Sequence, residues 1–110
     1  MDISLPLESD APTATLLCPC CGNGFLHHDR VEVFSRKAED EPDGLRTLVE
    51  KGITTVDQNI RRNPSRRRDA VRIAFWCETC DAKPQIDIVQ HKGNTHMFWG
   101  HGSDLGLRAK

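Results

Sequence analysis

The fold depends on two cysteine pairs, Cys18-Pro19-Cys20-Cys21-Gly22 and Cys77-Glu78-Thr79-Cys80-Asp81. Each pair places two residues between two thiols, the spacing with which one tight turn directs both sulfurs at a single ion. The glycine that ends the first pair permits the positive φ that turns backbone amides towards the thiolates. Two such turns make a closed tetrahedral shell of sulfur, which structural zinc prefers. We therefore predict one structural Zn²⁺ bound by Cys18, Cys21, Cys77 and Cys80.

Cys20 lies between the two thiols of the first pair, which leaves a second ligand set open. A Cys18-x-Cys20 arrangement would use it in place of Cys21, but Gly22 directly after Cys21 favours the first choice. We expect Cys20 to point away from the ion. The count of five cysteines is odd, which also argues against a secreted disulfide framework.

The composition predicts a small domain that a bound metal helps to keep folded. The chain has 110 residues, of which 37% are apolar and 5% aromatic, below the usual share for a globular protein. Binding of structural zinc contributes on the order of 10 kcal/mol, which is comparable to the whole stability of a small domain. The chain lacks both a run of ~18 apolar residues and a signal-peptide pattern. We therefore expect a cytoplasmic protein that does not enter a membrane.

Alternating apolar residues predict a mainly β chain with a small antiparallel sheet of three to five strands. Residues 31–34 and 70–76 both alternate, and the second of these segments leads directly into the second cysteine pair. Residues 45–49 and 53–56 predict a hairpin, with a short helix over 43–51 as the alternative.

The end of this region predicts a closing hairpin. Gly93-Asn94 suits a two-residue turn with glycine first, and that register pairs His91 with His96. One face of the hairpin then carries four large apolar side chains, which we interpret as the core: Ile86, Ile88, Met97 and Trp99.

The two cysteine pairs, the strands between them and the closing hairpin together resemble a zinc ribbon over residues 16–100. The resemblance implies a zinc-bound antiparallel sheet with the four cysteines as ligands. It implies no particular partner, because zinc ribbons occur in transcription factors, ribosomal and RNA-modifying proteins, and adaptors. The 55 residues between the pairs exceed the compact pattern, so the ribbon must carry an insertion at 36–69. We expect a flexible leader at 1–15 and a flexible tail at 101–110.

Charge divides the chain into an acidic and a basic half. Residues 1–57 hold 5 Lys and Arg against 11 Asp and Glu, whereas residues 58–110 hold 10 against 5. The arginine loop, residues 61–68, could neutralise phosphates or could pair with the acidic stretch 39–43 of its own chain. The first alternative predicts a nucleic-acid-binding, transcription-associated module that uses Arg61, Arg62, Arg66, Arg67, Arg68 and Arg72.

The alternative function is a protein-interaction adaptor or inhibitor that binds through the sheet edge and exposed aromatic residues such as Phe98 and Trp99. An enzyme is not expected, and we predict no catalytic residue, because a closed shell of four sulfurs leaves no position for water or substrate. His91 and His96 could share a second metal. Since no acidic residue stands at the spacing of a zinc hydrolase motif, two surface imidazoles are favoured.

Overall fold

Eight β-strands form the regular structure in the computed structural model, which describes residues 7–10 and 13–100. Strands β1 and β2 pair as a separate hairpin, and the other six form one antiparallel sheet in the order β5-β4-β3-β6-β7-β8. The mainly β class is thus confirmed. The strand bounds are β1 Leu7–Asp10, β2 Thr13–Leu16, β3 Leu26–Arg36, β4 Gly44–Glu50, β5 Ile53–Asp57, β6 Ala70–Cys77, β7 Gln85–His91 and β8 Asn94–Trp99.

The hairpin of β1 and β2 falls within the segment for which a flexible leader was predicted. Its register pairs Leu7 with Leu16 and Asp10 with Thr13. The flexible leader and the flexible tail at 101–110 remain predictions, and the tail lies outside the described residues.

The predicted insertion extends the sheet. The hairpin β4–β5 forms where a short helix was the alternative, and β4 pairs along β3 from Arg30–Glu50 to Arg36–Gly44. At its turn, Lys51 and Gly52 have φ values of 53° and 78°. Two consecutive positive φ angles match the twist of paired strands. Because the insertion pairs with β3, the sheet has six strands rather than the three to five that were predicted.

The closing hairpin has a register that differs from the predicted one. Its turn is Lys92-Gly93, with φ values of 50° and 82°, and His91 pairs with Asn94 rather than with His96. The prediction is wrong because Lys92 adopts the left-handed conformation, which lets the turn begin one residue earlier. Each partner moves by two positions, an even number, so every side chain keeps its predicted face.

One face of the sheet buries charged side chains. Glu32 on β3 is 2% exposed and Arg72 on β6 is 5% exposed, although both side chains are charged. The segment 58–69, which contains the arginine loop, contributes to the core on this face. The cluster of buried apolar side chains consists of Phe34, Ile60, Ala70 and Val89, with Phe98 packed against it.

A ladder of alternating charges crosses five strands on this buried face. Arg46 donates from Nε to Glu32 Oε2 at 2.8 Å and from Nη1 to Asp57 Oδ2 at 2.8 Å. Arg72 donates from Nε to Asp87 Oδ1 at 2.8 Å, and it faces Glu32 in the β3–β6 register. Each buried charge therefore has an opposite charge beside it, the condition under which buried charges are tolerated.

The opposite face, which we call the apolar face, consists of two rows that cross all six strands. Neither row contains a charged residue: Thr54, Val49, Val31, Ile73, Ile86 and Trp99 form one, and Val56, Thr47, Val33, Val71, Ile88 and Met97 form the other. Ile86 is buried, but Val33 is 40% and Met97 45% exposed. The prediction that this face is the core therefore fails at Met97, because nothing within residues 7–10 and 13–100 buries its side chain.

Replacing Asp87 by Asn tests the charge ladder. The change removes the carboxylate that Arg72 Nε binds and leaves Glu32 as the acidic neighbour of this buried guanidinium, so we expect the free energy of unfolding to fall by about 1.5–3 kcal/mol. The control is Asp57→Asn, whose side chain is 43% exposed and should contribute less than about 1 kcal/mol. Urea unfolding of the metal-loaded protein, followed by tryptophan fluorescence, measures both. Equal losses would contradict the role assigned to burial.

Candidate metal centre

Two turns at one end of the sheet bring the predicted cysteines together. Cys77 ends β6 and pairs with Leu26 at the start of β3, so the second turn lies beside the first. In the first turn Gly22 N–H donates to Cys18 O at 2.9 Å, and in the second Asp81 N–H donates to Cys77 O at 3.1 Å. Gly22 and Asp81 both have positive φ, 82° and 63°. The two turns therefore share the same local form.

The separations of the four sulfurs suit a single metal ion. Cys18 Sγ and Cys80 Sγ are 3.7 Å apart, and Cys21 Sγ and Cys77 Sγ are 3.6 Å apart. All four sulfurs lie within 4.8 Å of one another. Metal–sulfur bonds of about 2.3 Å in a tetrahedron separate the sulfurs by about 3.8 Å, whereas a disulfide requires about 2.05 Å. The four cysteines are thus positioned to bind one metal ion.

Backbone amides and neighbouring thiols give Cys77 and Cys80 different thiol pKa values. The backbone N–H of Cys80 is the main cause that lowers the pKa of Cys77 to about 7. For Cys80, the backbone N–H of Ala82 lowers the pKa, but burial and the other thiols outweigh it and raise the pKa to about 12. Sulfurs this close resist ionising together unless a cation lies between them. A divalent ion is the group that would let all four act as thiolates.

Cys20 is not a member of the cluster. Its side chain is exposed, and its backbone N–H donates to Cys18 Sγ at 3.4 Å. Partial burial first, and then the charge of Cys18, raise the pKa of the Cys20 thiol. A raised pKa leaves little reactive thiolate at neutral pH.

Side chains around the second turn connect it to β3. His27 Nε2 lies 2.7 Å from Glu78 Oε1, and the His27 ring meets the Trp76 ring edge-on at 4.6 Å. Glu78 N–H also donates to Phe25 O at 3.0 Å. These contacts hold the two cysteine turns side by side. Sequence reasoning did not predict the contact between His27 and Glu78, because the two residues are 51 positions apart in the chain.

Part of the arginine loop is paired with the acidic stretch of the same chain. Arg67 contacts Asp40 Oδ1 at 2.8 Å and Glu39 Oε2 at 2.5 Å, and Arg68 contacts Glu39 Oε1 at 2.8 Å. The hydrogen bond from Arg67 lowers the pKa of Asp40. For these two arginines the structure shows the self-pairing alternative.

The other predicted nucleic-acid contacts divide into exposed and buried side chains. Arg72 is buried in the charge ladder against Asp87. The exposed members of the set are Arg61, Arg62 and Arg66. A nucleic-acid role for the six arginines stays a prediction.

Arg36 holds the arginine loop in place, and sequence reasoning missed it. Its Nε donates to Arg68 O at 3.1 Å, and its Nη1 donates to Glu41 O at 2.7 Å. Its Nη2 donates to Ser65 O at 2.9 Å and to Arg66 O at 3.0 Å. One guanidinium thus ties both loops to the end of β3. No sequence pattern marks such a residue, because its acceptors are backbone carbonyls.

The pair of histidines lies beside a small groove. The ring centroids of His91 and His96 are 5.9 Å apart. They line a groove of about 310 Å³ together with Pro64 and Phe98. Within residues 7–10 and 13–100, no third ligand joins the two imidazoles, and the four-cysteine cluster is the one metal-binding group found.

Comparisons with known proteins assign no family to this chain. A scan against protein-family models gave no match, and searches of the curated proteins and of the solved structures gave none either. The described part of the chain contains no helix long and apolar enough to cross a membrane. The interpretation of the site therefore rests on its geometry.

Replacing Cys77 by Ser tests the ligand set. The remaining three thiols cannot close the shell, so we expect metal content to fall from about one equivalent to near zero. Cys20→Ser is the matched control and should keep the full equivalent. Elemental analysis of the purified variants measures both. Loss of metal in Cys20→Ser, with retention in Cys21→Ser, would favour the Cys18-x-Cys20 arrangement instead.

Proposed function

We propose that this chain is a protein-interaction module of zinc-ribbon type, in which one structural Zn²⁺ fixes the sheet and the apolar face receives a protein partner. The main observation behind this proposal is that the sheet buries charged side chains on one face and exposes apolar side chains on the other. Glu32 and Arg72 are buried, while Val33 and Met97 on the other face are exposed.

An open apolar face is unusual for an antiparallel sheet. When one face of such a sheet meets water, that face normally carries polar side chains. Here the exposed apolar residues include Val33 on a central strand and Val49 on the next one. Contiguous exposed apolar patches mark interaction sites in soluble proteins. A partner that covers the face would remove this apolar area from water.

An open groove continues the apolar face towards the arginine loop. It has a volume of about 670 Å³, and Val33, Val71 and Ile88 line it on the side of the apolar face. Arg68 and Asp69 line its other side. Such an arrangement supports an interface with an apolar centre and a charged rim.

The donor set supports zinc as the ion and a structural role for it. Four thiolates in a tetrahedron favour zinc or iron among the first-row metals, and a closed shell keeps no open position. This supports binding rather than catalysis as the activity. The free thiols suit a reducing compartment such as the cytoplasm.

Nucleic-acid binding is the second candidate function. It is favoured by the exposed positions of Arg61, Arg62 and Arg66. Arg67 and Arg68 would first have to leave Glu39 and Asp40, which lowers the charge available for phosphates. For this reason we place it behind the protein-interaction function.

A photo-crosslinking amino acid at position 33 tests the protein-interaction proposal in the cells that make the protein. Val33 lies in the centre of the apolar face, so irradiation should give a covalent adduct with a protein. The control position is Thr55, which is exposed on the opposite face of β5 and should give none. No protein adduct from position 33 would contradict the proposal.

Fluorescence anisotropy with single-stranded DNA and RNA tests the second candidate. We expect no binding tighter than the non-specific range of about 10⁻⁴–10⁻⁶ M at physiological salt. Replacing Arg61, Arg62 and Arg66 together by Ala should then change little. Submicromolar binding that this triple variant loses, with a steep dependence on salt, would make nucleic acid the ligand.

A further inference from the structure

We propose that the partner of the apolar face is a second copy of this chain, so that two sheets pack face to face as a β-sandwich dimer. This inference rests on the proposed function, because it names the occupant of the same surface. It follows from the charge of the face, from its size and from what else in the chain could cover it.

The apolar face offers no charge with which to select a charged partner. Both of its rows cross six strands without an acidic or basic residue. Interfaces with charged partners are complementary in potential, so a site for an acidic peptide or a nucleic acid would be basic. A neutral face is best matched by another neutral face. In a two-fold dimer the same patch serves both partners, so a second copy supplies this match by symmetry.

The apolar face also approaches the size of the smaller stable interfaces. Its twelve side chains, each occupying about 4.8 Å across the strands and about 6.6 Å along them, cover a flat area of roughly 380 Å². Standard interfaces begin at about 600 Å² of accessible surface on each partner. Since protruding side chains expose more area than their flat projection, the apolar face comes close to that lower limit.

A face-to-face arrangement would bury Val33, which is exposed on a central strand of the sheet. β3 and β6 are the two middle strands of the sheet, and Val33 pairs directly with Val71 across them. Packed sheets lie about 10 Å apart with their strands within about 30° of each other. A two-fold axis near this pair would set Val33 and Val71 against their copies.

The two segments of the sequence that flank the described residues, 1–6 and 101–110, offer few side chains to cover the face. The ten residues after Gly100 contain Leu105 and Leu107 as large apolar residues, and residues 1–6 contain Ile3 and Leu5 besides the initial methionine. The apolar face presents twelve residues across six strands. A second sheet of the same size covers it more completely than either short segment.

Sedimentation equilibrium of the metal-loaded full chain tests this inference. The wild type should sediment at twice the 12.4 kDa of one chain at concentrations of about 10–100 μM. Val33→Lys should weaken dimerisation at least about tenfold, because it places a charge in the centre of an apolar interface. Thr55→Lys adds the same charge on the opposite face and should leave the dimer intact.

Met97→Lys, on the edge strand β8, is a second variant in case Val33→Lys does not fold. Metal content and circular dichroism show whether each variant is folded. A monomeric wild type would overturn the inference. A dimer that persists in both lysine variants, when these are folded, would also overturn it, because an edge-to-edge dimer would behave in this way. A monomer whose position 33 still crosslinks to a different protein overturns the dimer alone. A monomer without any protein adduct overturns the proposed function as well.

Discussion

The structure depends on one constraint: two turns that stand 55 residues apart in the chain must bring four cysteine sulfurs together, in positions that suit a single metal ion. The first turn leads into β3 and the second ends β6, the two middle strands of the sheet. Holding the turns together therefore brings the central strands into register. The buried apolar cluster is small, with Phe34 as its largest member. A structural zinc contributes on the order of 10 kcal/mol, as much as the net stability of a typical small domain.

The pattern of burial on the two faces of the sheet explains why packing within one chain contributes little to the stability of the fold. Buried ion pairs such as Arg72–Asp87 add little to stability compared with apolar packing, because both charges lose their water. The apolar side chains that would contribute more, such as Val33 and Val49, stay partly in water. A monomer thus buries charged side chains on one face of the sheet and leaves apolar side chains on the other face partly exposed. A partner on the apolar face would bury these apolar side chains.

Local patterns in the sequence predicted much of the fold and the metal centre. The CxxC spacing identified the four cysteines that cluster at one end of the sheet, because one tight turn determines where both thiols lie. Alternation identified which side chains share a face, and this held even at the closing hairpin, where Lys92 shifts the turn. The pattern could not show which face is buried, because that depends on distant segments. Glu32 and Arg72 would be expected at the surface by type, and only their cross-strand partners explain their burial. Arg36 was unpredictable for a similar reason, since it binds backbone carbonyls of two loops.

Removal of the metal tests most directly whether a bound ion holds the sheet together. The purified protein is analysed for metal content and then stripped with a chelator under reducing conditions, while far-ultraviolet circular dichroism follows the sheet. We expect about one equivalent of zinc, loss of the β signal on stripping, and its return when Zn²⁺ is added back. A protein without stoichiometric metal, or one whose sheet remains intact after stripping, would show that the fold does not depend on an ion.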